Sequence, residues 1–100
     1  MRFAADALRR AGQGTLSAEL ARDLLAEGGQ LVDLRAPYSF RSNAMPGAVN
    51  LPVEALGHDY RLLDKREPVI VCGAGVIDCV RAARMLAGQG FAQVYRMEAS

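Results

Sequence analysis

One hundred residues suffice for one domain with a real core, without disulfide or metal staples. With 51% hydrophobic and 23% charged residues, the composition excludes a disordered chain. Twelve Lys and Arg against eleven Asp and Glu leave +1, too balanced for a nucleic-acid footprint or a polybasic membrane patch.

Residues 2–10 predict a short helix. Its charges (Arg2, Asp6, Arg9, Arg10) stand where a secretory signal would be apolar, so the expected location is cytoplasmic. Gly12-Gln13-Gly14 reads as a breaker, dividing the chain into a helical extension (1–14) and a folded domain (15–100). Ser17 is a candidate N-cap for a helix whose apolar face carries Leu16, Leu20, Ala21, Leu24 and Leu25, stopped by Gly28-Gly29. Leu31-Val32-Asp33-Leu34 predicts a buried strand, closed by the Ala36-Pro37 turn, with a helical turn over Tyr38 to Ser42. Ala48 to Leu51 predicts a second strand and Val53 to Asp59 a short helix. Pro68-Val69-Ile70-Val71 is β-branched and continuous, as in a strand buried on both faces. Val76, Val80, Ala83 and Ala87 then recur at helical intervals, with Arg81 and Arg84 turned away, until Gly88 and Gly90. Gln93 to Arg96 is the last predicted strand. Strand alternating with helix implies an α/β fold with a mostly parallel sheet. The uncharged stretch Val69–Ile77 is short and broken by glycines, so no bilayer crossing is predicted. Two cysteines and one histidine cannot by themselves close a four-ligand zinc site, and neither a metal nor a cofactor is expected.

The candidate chemistry sits at one junction, where a buried strand ends in Cys72, Gly73-Ala74-Gly75 follows, and a helix begins at Val76-Ile77-Asp78-Cys79. Ligands of open α/β sheets bind at the carboxyl ends of strands. A thiol there faces loop amides and the positive end of a helix, both of which favour thiolate. The glycines let several N–H groups converge as an anion nest around a nucleophilic cysteine. A buried, inert Cys72 beside a tight turn is the competing reading. A dinucleotide fingerprint fails because Asp78 stands at the third glycine position, and a P-loop fails for want of G-K-[ST]. A cysteine phosphatase would need arginine where Asp78 stands.

Leu31 to Arg35, Met45-Pro46-Gly47-Ala48-Val49-Asn50-Leu51-Pro52, Val69 to Cys72 with its loop, and Gly90 to Tyr95 together resemble the rhodanese (sulfurtransferase) domain family, in that family's order. The resemblance implies about five mostly parallel strands with helices on both faces. It further implies transfer of a sulfane sulfur, from a small donor such as thiosulfate or 3-mercaptopyruvate, through a Cys72 persulfide. Cyanide or a thiol accepts, the latter on a small molecule or a protein; no cofactor, nucleic acid or membrane takes part. Gly73, Ala74, Gly75, Val76, Ile77 and Asp78 would hold the sulfur anion by their amides. The loop Cys72-Gly73-Ala74-Gly75-Val76-Ile77 is similar to the mercaptopyruvate-type C-G-S-G-V-T; without Lys or Arg it disfavours thiosulfate, a dianion. Asn43-Ala44 replaces the usual Gly-His, and Ser39 replaces an acid that would partner Arg35. Such departures motivate the alternative of a rhodanese-like interaction or regulatory module with little turnover.

Five further residues complete the candidate set. Cys79 is either a resolving thiol or a core residue on the helix face. Asp33 and Arg35, at a strand end, are either functional or, as the resemblance implies, anchors of the fold. Arg41 is either a carboxylate clamp or a solvated surface arginine. His58, in Gly57-His58-Asp59, reads as a loop residue without a nucleophile partner.

Overall fold

A strand as apolar as Val69-Ile70-Val71 has no face for water and must be covered on both sides. In the computed structural model, which describes residues 13–97, it is the middle of a five-stranded sheet. The elements in chain order are β1 (Gln13–Leu16), α1 (Ala18–Ala26), β2 (Gln30–Asp33), α2 (Pro37–Ser42), β3 (Val49–Asn50), α3 (Leu56–Asp59) followed by a 3-10 turn (Tyr60–Leu62), β4 (Val69–Cys72), α4 (Val76–Gly88) and β5 (Val94–Met97). The order across the sheet is β1-β5-β4-β2-β3, every pairing parallel. The expected α/β architecture is therefore present.

Side-chain alternation along β4 divides the core in two. Ile70 and Cys72 join Leu16, Ala21, Leu24, Leu31 and Tyr95 on the face covered by α1. Val69 and Val71 join Val32, Leu34, Leu56, Cys79, Ala82 and Leu86 on the face covered by α3 and α4. Local signals set the ends of α1: the Ser17 hydroxyl accepts from Leu20 N–H at 3.2 Å, and Gly28 (φ +103°) takes the left-handed turn that stops the helix.

Three expectations are corrected. Gln13-Gly14 is no breaker but opens β1, an edge strand beside β5, so the folded unit begins before residue 15 and Leu16 packs from a strand rather than from α1. A parallel partner 81 positions along the chain supplies what so short and polar a run lacks by itself. The inward stripe of α4 is Cys79, Ala82 and Leu86, one residue away from Val76, Val80, Ala83 and Ala87; Val76 is 77% exposed. Apolar residues on both flanks of this alanine-rich helix make the two stripes equivalent until the sheet selects one. His58 lies in α3, not in a loop. The predicted helix at residues 2–10 falls outside the described residues.

Candidate active site

From the centre of the sheet, the chain runs from β2 outward to β3, and from β4 the opposite way to β5. The diverging connections leave a crevice at the carboxyl ends of β2 and β4. Asp33 and Cys72 are register partners there, and Leu34 N–H donates to the Cys72 carbonyl at 2.9 Å.

Asp33 is the polar residue of this crevice, 2% exposed. Burial pushes its carboxyl up, but hydrogen bonds from the Arg35 side chain and backbone, together with the guanidinium charge, outweigh burial and hold it below the usual carboxylate range. Arg35 Nη2 donates to Asp33 Oδ2 at 2.8 Å, Nε to both carboxylate oxygens at 3.1 Å, and the Arg35 amide to Oδ1 at 2.9 Å. The guanidinium also donates to Asn43 Oδ1 (3.1 Å) and to the Asn43 carbonyl (2.9 Å). Arg35 thus has partners despite Ser39: Asn43, one of the departures from the family pattern, takes that place. Asn50 Nδ2 ties the turn by donating to the carbonyls of Asp33 (3.0 Å) and Arg35 (2.9 Å).

Gly73 packs directly on this network. Its φ is +89°, and a Cβ there would lie 2.6 Å from Asp33 Oδ1. Only glycine satisfies both the backbone turn and the contact. Gly75 is the N-cap of α4, with Cys79 N–H returning to its carbonyl at 2.9 Å. Asp78 occupies the first turn, where an acid complements the helix dipole.

Cys72 itself departs from expectation. Its side chain is 5% exposed, and among the described residues no hydrogen bond reaches its sulfur. Burial, then the Asp33 carboxylate and Cys79, against only Arg35, push the thiol up to about 11. The resting thiol is protonated at neutral pH, contrary to the thiolate predicted from loop and helix end. The reason is geometric: Cys72 follows Ile70 onto the α1 side of the sheet, whereas the loop leads to α4 on the other.

Cys79 lies on that other side, in the core, its thiol donating to the Ala74 carbonyl at 3.4 Å; burial raises its pKa as well. Beside it a cavity of about 310 Å³ opens between the loop and the ends of β1 and β5. Of the loop residues, Val76 and Ile77 are 77% and 69% exposed. Arg41 is exposed on the last turn of α2 and takes no part in the hydrogen bonds around Arg35. The sequence reading gave no site role to Thr15, Asn43, Asn50 or Arg96; the visible signals were Asn43 as a departure from the family pattern and a polar Asn50 inside an apolar strand.

A parallel sheet with a cysteine, a glycine loop and a helix start at its switch point defines a class. Residues 17–100 match the model of the rhodanese-like domain, and the chain belongs to that family. It is 38% identical over 81 residues to "Thiosulfate sulfurtransferase GlpE" of Pseudomonas syringae pv. syringae, covering 80% of this chain and 76% of that protein. Its fold is similar to that of the Alr3790 protein of Anabaena sp. (TM-score 0.74, 24% identity, covering 85% of this chain and 80% of that one). It is likewise similar to the single-domain sulfurtransferase RDL2 of Saccharomyces cerevisiae (TM-score 0.71, 17% identity, covering 88% and 85%).

Proposed function

We propose that this chain is a sulfurtransferase in which Cys72 carries the sulfur. The observation that supports it most is the placement of Cys72 at the β2/β4 switch point, ahead of the Gly73-Ala74-Gly75 turn into α4, in a relative of proteins named for thiosulfate sulfurtransfer. The thiol first loses its proton. The thiolate attacks the outer sulfur of the donor, a new S–S bond forms, and the old bond breaks with its electron pair leaving on the donor's remainder (sulfite, from thiosulfate). The persulfide anion then gives its outer sulfur to cyanide or a thiolate, and the Cys72 thiolate returns. Loop amides from Gly73 to Asp78 would hold the anion once a donor draws them onto it, in the manner of an oxyanion hole. Thiosulfate and 3-mercaptopyruvate remain the donors to compare: relatives carry the name of the first, and the loop lacks a cation for it.

The burial and raised pKa of Cys72 favour one second reading, a rhodanese-like module that docks or regulates a partner protein with little turnover. Mass spectrometry separates the two. Incubation with thiosulfate, 3-mercaptopyruvate or polysulfide is expected to add one sulfur atom to Cys72, and none in Cys72→Ser. Absence of the adduct with all three donors, from about pH 7 to about pH 10, would leave the module reading.

A further inference from the structure

Helix α4 is apolar along two neighbouring stripes, and the sheet takes one of them, Cys79-Ala82-Leu86. The second, Val80-Ala83-Ala87, lines a groove of about 550 Å³ on the α4 side of the sheet, beside the edge strand β1. Phe91 and Val94 line it as well, and so does Gln13, the register partner of Val94 at the start of β1. Val80 and Ala83 are half-buried and Ala87 is exposed. Two cations, Arg84 and Arg96, border the groove, and among the described residues no carboxylate does. Such a surface suits an apolar occupant that turns its own positive charges away.

The chain carries a segment of this kind. Twelve residues precede Gln13 and join the sheet at the groove. The helix expected over residues 2–10 gathers Phe3, Ala4, Ala7 and Leu8 in one arc at about 100° per residue, with Arg2, Asp6 and Arg9 opposite and Arg10 at the border. Nine helical residues span about 14 Å and the stripe from Val80 to Ala87 about 10 Å, so the two match in length. Between the parallel strands β4 and β5, α4 runs back against the strand direction, which sets Ala87 toward the end where β1 begins and Val80 toward the other. Tethered at Gln13, the segment meets the groove at about millimolar effective concentration, ahead of any free helix. We propose that residues 2–10 seat in this groove as a helix beside α4, with Leu8 against Ala83 and Ala87 and Phe3 toward Val80. The contact does not depend on the chemistry of Cys72.

Methyl-resolved NMR of the full chain tests it. Nuclear Overhauser contacts are expected between the Leu8 methyls and those of Ala83 and Ala87, unchanged on dilution. Leu8→Gln should lower the thermal midpoint by about 5 °C, while Arg9→Gln, on the charged side and of similar helix propensity, should move it by less than about 1 °C. Leu8 methyls without contact to α4 would overturn the proposal and leave the groove to a separate macromolecule. Midpoints of the two variants within about 1 °C of each other would overturn it as well. So would Leu8 contacts that isotope-filtered spectra assign to a second copy of the chain, which would make the groove an interface between protomers.

Discussion

At the scale of single residues, the crevice is organised by a carboxylate that must stay charged and a glycine that must stay bare. Gly73→Ala would place a methyl against Asp33 Oδ1 in a left-handed backbone, so it is expected to cost about 2 kcal/mol or more in denaturant unfolding. Asp33→Ala leaves Arg35 only its bonds to Asn43 and removes the buried carboxylate that ties the turn, so it is expected to lower the denaturant midpoint. Equal stability of either variant with the parent would remove this account of the turn. The nucleophile has its own signature. A Cys72 thiol pushed up to about 11 should react with iodoacetamide at a rate that climbs about tenfold per pH unit from about pH 7 to about pH 10. A plateau by neutral pH would mean that the loop amides already hold a thiolate.

At the scale of elements, α4 shows why periodicity locates a helix more reliably than it orients one. Its extent was legible in the sequence, from the glycine loop to Gly88, and so was the outward direction of Arg81 and Arg84. Its buried stripe was not, because Ala and Val flank the true face of Cys79, Ala82 and Leu86 on either side. Leu86→Ala should therefore cost about 3 kcal/mol, since Leu86 is fully buried against the sheet, while Val76→Ser should change stability by less than about 0.5 kcal/mol. Comparable losses in thermal unfolding would contradict the stripe. β1 illustrates the opposite failure: Gln13-Gly14-Thr15 has no strand pattern of its own, and pairing with β5 alone makes it one.

At the scale of the whole molecule, the groups at the switch point give stability a pH optimum with two limbs. Asp33 has its pKa lowered on folding, so its contribution is present above its ordinary 3.8 and is lost as pH falls through the lower folded value. Cys72 has its pKa raised, so its contribution is intact below its ordinary 9.0 and is lost as pH climbs from there through about 11. Denaturant midpoints are expected to decline in both windows, with Cys72→Ser flattening the alkaline limb. An alkaline limb of the same depth in that variant would assign it to other groups. Among the described residues no helix is long and apolar enough to cross a membrane.

The alternation of apolar runs with helical spacing was sufficient to define the α/β class, the central strand β4 and the cysteine–glycine junction, because these are local properties of a few consecutive residues. Which face of the sheet Cys72 turns to, how deeply it is buried, that Asn43 would complete the Arg35 clasp, and that Thr15 and Arg96 would meet across 81 positions were decided only by the tertiary structure. Burial and long-range pairing arise from segments brought together by the fold, and the electrostatics of a thiol follow from what surrounds it rather than from its neighbours in the chain.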